Sequence, residues 1–275
     1  MRARTGGRPF VKMTGSGNDF VFFDAREEPP GDLAGVGRIA AICARGTGVG
    51  ADGVVFVEPS AVSDFAIRYF NADGSLASLC GNASLCSTRL AVELGAADAR
   101  EMRFETGAGT LTGRLRDALP EIDLEPVSEI ELEAAGIALG EGELSVGFAA
   151  AGVPHLVISC EDASAVDVAR RGPPLRRHPS LAQGANVNWV SRLPGGWAIR
   201  TYERGVEGET LACGTGAVAA AVVLAGWGLA PAAGTALRTA SGRWLEVTLR
   251  SGEAGAVPSL RGEGRVVFRG ELADV

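Results

Sequence analysis

The sequence predicts an α/β (α+β) protein made of two similar halves. Three observations lead there. β-rich runs bounded by turn residues recur along the whole chain. The two clearest helical runs each open just after a Cys-Gly pair. Those pairs, at Cys80 and Cys213, lie 133 residues apart, close to half of the 275 residues.

In chain order, the runs 20–25, 53–59, 65–71 and 102–115 carry β-branched and aromatic residues and read as strands. In the second half 144–159, 185–193, 196–203, 244–249 and 265–272 read the same way. A weak helical pattern covers about 35–44. The helix after Cys80 has a natural stop at Gly95, and the one after Cys213 stops near Gly226 or Gly228, since glycine accepts the left-handed backbone that follows a helix. The two segments align as an internal repeat. Each has a strand ending in an aromatic, a glycine-containing polar loop, Cys-Gly, then Asn or Thr, a small residue and a helix. A boundary between the halves fits "RDALPEIDLEP" (116–126), which carries two prolines and a shift in charge.

Composition narrows the function. Nearly half of the residues are apolar, enough for a substantial core. A net charge of −7 argues against a nucleic-acid partner, because phosphate binding needs a basic surface. The opening "MRARTGGRPFVKM" has no continuous apolar core of a targeting segment. The apolar run from Ala217 is too short and glycine-interrupted to span a bilayer. A cytoplasmic protein without a membrane partner is expected. The arginine pairs 170–171 and 176–177 around His178 read as a solvated loop. Five cysteines with no CxxC, and only two histidines, favour neither a disulfide framework nor a metal centre. Lys12 is the sole lysine, so a pyridoxal phosphate enzyme, which needs a Schiff-base lysine, is not expected, and no cofactor is called for. The stretch "GVGADG" (48–53) satisfies G-x-G-x-x-G, but a helix precedes it and a strand follows. The dinucleotide fingerprint needs the reverse order.

The chemistry concentrates at the two Cys-Gly pairs. A helix N-terminus offers unpaired N–H groups and a partial positive charge, which favour a carboxylate and a thiolate. Glycine after the cysteine lets a ligand approach the backbone, and Asn82 and Thr215 add side-chain donors. One such element would suit a hydrolase nucleophile. Two of them suit removal of an α-proton from one face of a carboxylate substrate and its return to the other.

The stretches "KMTGSGNDFVFFD", "GVGADGVVFVEP", "YFNADGSLASLCGN", "GVPHLVI", "GANVNWV" and "YERGVEGETLACGTGA" together resemble diaminopimelate epimerase, in that family's order. The resemblance implies two pseudo-symmetric domains, 1–118 plus 264–275 and 119–263. Each would be a mixed β-barrel around a central helix, with the active site in the interdomain cleft. It implies cofactor-independent interconversion of LL- and meso-diaminopimelate, and a homodimer. Cys80 and Cys213 match the paired catalytic thiols. Gly81, Asn82, Gly214 and Thr215 match the cradle of the reacting carboxylate. Asn18, Asn71, Asn186, Glu203 and Arg204 match residues that hold the far amino-acid end. His155 and Glu203 match groups near the thiols that set their protonation.

Three positions depart from the family's pattern. Val153 stands where Asn is usual, Ala83 where the second glycine of "CGNG" is usual, and Ala185 where Thr is usual. These changes lie in the ligand shell and leave a second reading open, a sister racemase of another amino acid. A third, from a different class, is a binding or redox protein whose cysteines form a disulfide.

Overall fold

The computed structural model describes residues 7–252 and 255–273. Its chain divides into two units, Met1–Ile122 with Gly262–Val275, and Asp123–Arg261. Residues 1–6 of the opening "MRARTGGRPFVKM", in which no targeting segment is expected, lie outside the described residues. No helix among the described residues is long and apolar enough to cross a membrane.

In the first unit β1 (Arg8–Gly15) and β2 (Asn18–Asp24) pair antiparallel across a tight turn whose Ser16 and Gly17 both have positive φ. Helix α1 (Val36–Cys43) leads to β3 (Gly53–Glu58), which runs parallel to β2. Strand β4 (Phe65–Asn71) pairs antiparallel with β3, and the two-residue β5 (Leu76–Ala77) folds back on β4. Helix α2 (Gly81–Glu93) follows, then the hairpin β6 (Met102–Thr106) and β7 (Gly109–Arg116), with β6 parallel to β4. Strand β8 (Leu119–Asp123) closes the segment.

The second unit repeats the pattern. After β9 (Ser128–Glu131), β10 (Glu143–Ala151) pairs antiparallel with β11 (Val153–Cys160). Helix α3 (Val168–Arg176) leads to β12 (Asn186–Leu193), parallel to β11. Strand β13 (Gly196–Glu203) is antiparallel to β12, and β14 (Gly208–Thr210) folds back on it. Helix α4 (Gly214–Gly226) precedes β15 (Thr235–Arg238), which is parallel to β13, and β16 (Trp244–Gly252). Strand β17 (Gly255–Arg261) ends the unit, and β18 (Arg265–Leu272) returns to the first unit beside β1.

Each central helix is buried for its own reason. Helix α4 is almost wholly Ala, Val, Leu and Gly, so every face can be dry, as a helix that is apolar all round requires. Burying Val218, Val223 and Leu224 contributes about 1.5–3 kcal/mol each. Helix α2 carries Ser84, Ser87 and Thr88 into the interior. Ser87 Oγ donates to Ala83 O at 2.8 Å and Thr88 Oγ1 to Ser84 O at 2.9 Å, so the hydroxyls of Ser87 and Thr88 bond within the helix itself. Both helices end alike. Gly95 and Gly228 take positive φ, and the next residue bonds back five positions, Ala96 N–H to Ala91 O and Leu229 N–H to Leu224 O.

Three expectations change. The run 102–115 is two strands separated by a turn at 107–108, and 144–159 is two strands turning at Gly152, whose φ is 71°. The arginine pairs are not a solvated loop. Arg170, Arg171 and Arg176 lie on α3, which Asp167 caps by accepting from the Arg170 N–H at 3.1 Å. Pro173 and Pro174 hide that helix from a sequence reading. Arg171 pairs with Glu143 at 2.7 Å, and Arg176 and Arg177 pair with Glu207 at 3.0 and 2.7 Å.

Candidate active site

Cys80 and Cys213 are the N-cap residues of α2 and α4. Their backbones nearly coincide, with φ and ψ of −139° and 116° for Cys80 and −132° and 111° for Cys213. Each carbonyl accepts the first bond of its helix, from Ser84 N–H at 2.9 Å and Ala217 N–H at 3.0 Å. Neither cap makes the side-chain bond that a Ser, Asp or Asn cap makes. The N–H groups of a helix's first turn, here 81–83 and 214–216, have no intrahelical acceptor, which is the arrangement that suits an anion. Cys80 is half-buried and Cys213 buried. Thr215 Oγ1 stands 3.5 Å from the Cys213 sulfur.

In the first unit, Asn82 is buried at the mouth of α2 and donates through Nδ2 to Asn18 Oδ1 at 2.6 Å. Asn18 Nδ2 donates to Asp52 Oδ2 at 3.1 Å. Asp52 pairs with Arg45 at 2.7 Å, Arg45 with Asp19 at 2.7 Å, and Asp19 with Lys12 at 2.6 Å. Burial pushes the Asp19 carboxyl up, but hydrogen bonds from Arg45 and Lys12 outweigh it and hold it below its ordinary value. Asn82 Oδ1 is buried with no hydrogen-bond partner among the described residues. Asn71 uses its amide on its own turn, donating to Ser75 Oγ at 3.0 Å.

In the second unit, Asn186 Oδ1 accepts from the Arg204 N–H at 2.7 Å, and Asn186 Nδ2 stands 3.5 Å from His155 Nε2. Arg204 Nη1 donates to Gln183 O at 3.1 Å, and Glu203 ends β13 half-buried. Glu207 holds the loop that carries them. It accepts from the Gly205 N–H at 3.2 Å while gripping Arg176 and Arg177. His155 is fully buried. That burial first, and the Arg204 charge second, push it down to about 3, so its imidazole is neutral near neutral pH. The structure thus gathers Asn18, Gly81, Asn82 and Cys80 in one unit. In the other it joins His155 to Asn186 and Asn186 to Arg204, and sets Gly214 and Thr215 beside Cys213.

Comparisons with known proteins identify the family. The family model described as diaminopimelate epimerase matches residues 10–127 and 147–262. The chain belongs to the diaminopimelate epimerase family. It is 55% identical to the diaminopimelate epimerase of Gemmatimonas aurantiaca, over 96% of this chain and 99% of that one. It is 38% identical to that of Aquifex aeolicus, over 96% and 98%. Solved structures share the fold at lower identity. A PhzF-family phenazine biosynthesis protein of Bacillus anthracis has a TM-score of 0.75 at 15% identity, covering 97% of this chain and 99% of that one. A hydroxyproline epimerase from Agrobacterium vitis has a TM-score of 0.68 at 18% identity, covering 99% and 94%.

Strand registers show what the two units of this diaminopimelate epimerase family member place at equivalent positions. Phe70 pairs with Leu76 and Val54, and Tyr202 pairs with Glu209 and Val187. Val21 lies beside Val54, and Leu156 beside Val187. Counting from these pairs, Asn18 corresponds to Val153, Asp52 to Ala185, Asn71 to Glu203 and Phe20 to His155. The half-sites share their cysteine and helix but not the surrounding polarity. Sequence reasoning passed over Asp52 and Asn188. Both lie inside motifs of the family resemblance, "GVGADGVVFVEP" and "GANVNWV", and only their long-range partners single them out.

Proposed function

We propose that this chain epimerises LL-2,6-diaminopimelate to the meso form, without a cofactor, with Cys80 and Cys213 as the acid–base pair. One observation carries the reading: the same residue caps the same helix in both units, in nearly the same backbone conformation. Family membership supplies the substrate.

In this reading one thiolate removes the α-proton and the other thiol delivers a proton to the opposite face. Positioned proton transfer contributes about 10²–10⁴-fold. That is too little for a carbon acid, so most of the barrier must fall through donors that hold charge on the substrate carboxylate. Such donors are worth about 3–4 kcal/mol each. The first-turn N–H groups of both helices supply them. Asn82 Oδ1 is an acceptor for a substrate ammonium, and Arg204 with Glu203 suits the second amino-acid end. As part of the same proposal the enzyme is cytoplasmic and serves lysine and peptidoglycan synthesis. It would be a homodimer, with exposed Val267 and Phe268 on β18 as the apolar surface a second copy would cover.

The test is incubation with LL-diaminopimelate in D₂O. Inverted product carrying deuterium at one α-carbon is expected, and Cys80→Ala and Cys213→Ala should each lose at least about 10²-fold in rate. Full activity in either variant overturns the two-thiol mechanism. Turnover of another amino acid in place of diaminopimelate transfers the reading to a sister racemase.

A further inference from the structure

Behind the mouth of α4 lies a polar cluster that the first unit lacks. Asn188, fully buried on β12, donates from Nδ2 to Leu156 O at 2.8 Å and stands 3.2 Å from His155 Nδ1. Its Oδ1 accepts from Thr201 Oγ1 at 2.9 Å. A Cβ on Gly216 would lie 2.4 Å from that same oxygen and 3.3 Å from the Cys213 sulfur. Asn188 therefore touches the histidine on one side and the first turn of α4 on the other. By strand register the equivalent set in the first unit is Phe20, Val55, Tyr69 and Ala83. It packs as apolar and aromatic side chains, with Phe20 edge-on to Tyr69 at 5.9 Å. The fold does not need a buried polar cluster at this place, so its presence in one unit points to function.

The orientation of Asn188 is forced. Leu156 O only accepts, so it must face the amide nitrogen, and Thr201 Oγ1 then donates to the amide oxygen. The second Nδ2 hydrogen is left pointing at His155 Nδ1, which must accept it. A neutral imidazole that accepts at Nδ1 carries its proton on Nε2. Asn186 does not reverse this. Its oxygen is taken by the Arg204 N–H, and its nitrogen stands at the outer limit of hydrogen-bond distance from Nε2.

We propose that Asn188 is a positioning residue of the Cys213 half-site: it locks His155 in the Nε2–H tautomer and seats that ring against the mouth of α4. His155 then acts as a hydrogen-bond donor of fixed polarity and not as a proton carrier. The catalytic meaning rests on the function proposed above; the tautomer itself does not.

The test is a long-range ¹H–¹⁵N correlation spectrum of protein labelled at histidine nitrogens. The chain has only His155 and His178, and a His178→Gln variant removes the half-buried one. A proton on Nε2 and none on Nδ1 is expected in the otherwise wild-type protein, and a proton on Nδ1 overturns the proposal. That spectrum needs no change at position 188. In Asn188→Val, which installs the residue type of the other unit, the ring should lose its single tautomer. Its kcat should fall on the order of 10-fold or more while KM moves less. A folded Asn188→Val protein with an unchanged tautomer also overturns the proposal. An Nε2–H ring in a protein that epimerises nothing would retain the lock and remove the function it serves.

Discussion

Asn82 donates to Asn18 across 2.6 Å, and the direction of that bond is set by a carboxylate one step further back. Asp52 can only accept, so Asn18 must turn its nitrogen toward it and its oxygen toward Asn82. Asn82 must then show its nitrogen to Asn18 and its oxygen elsewhere. One charge thus orients two amides in series at the mouth of α2.

Replacing Asp52 by alanine removes the acceptor of Asn18 Nδ2 and of the Asp19 N–H, and one of the two carboxylates that pair with Arg45. The expected stability loss is about 1–3 kcal/mol, read from urea unfolding. KM should rise in addition, because both amides become free to flip. An Asp52→Ala protein with wild-type KM would show that Asn18 and Asn82 do not need this anchor.

Glycine at 216 is a steric requirement. An alanine there puts its methyl 2.4 Å from Asn188 Oδ1, which is held by Thr201 and cannot retreat. Gly216→Ala should cost about 1–3 kcal/mol, seen as a lower thermal midpoint. Gly208 is the control, since nothing lies within 4 Å of a Cβ there. Gly208→Ala should change stability by less than about 1 kcal/mol.

Stability should fall on mild acidification through His155. Its folded value is about 3, against 6.5 for the ordinary ring. Between these values the unfolded chain binds a proton that the folded chain refuses, so stability rises with pH across the window and is lost as pH falls. From about pH 7 to about pH 5 this one residue accounts for about 2 kcal/mol. His155→Gln should show a correspondingly shallower pH dependence of its urea midpoint. Equal slopes in the two proteins would mean that the ring takes up a proton when folded.

The five cysteines should separate by alkylation rate. Burial pushes Cys43 and Cys160 up to about 11 and Cys86 well above the ordinary value of 9.0. Cys43 and Cys160 should react on the order of 100-fold slower than a cysteine of ordinary pKa. Cys80, half-buried at a helix mouth, should be modified first, followed by peptide mass spectrometry against time. Early modification of Cys43 or Cys160 would contradict their burial.

The α3 helix shows where a linear reading stops. Its two prolines and paired arginines have the composition of a loop, and the stretch is helical because Asp167 caps it and Glu143 and Glu207 hold its arginines. Val153 shows a different limit. Its apolar character is plain in the sequence, but its equivalence to Asn18 exists only through strand registers.

What the sequence determined by itself is what one short segment can specify: a cysteine at a helix start, glycine after it, a glycine stop, and the repetition of that unit. Those features depend on neighbours within a few residues, and their spacing is written in the chain. Tertiary structure alone decided which polar side chains act together. Asp52 meets Asn18 from 34 residues away and Asn188 meets His155 from 33, each across a parallel strand pair. Buried amides and imidazoles take their orientation from whichever acceptor the fold brings within about 3 Å, and strand pairing, not residue order, brings it there.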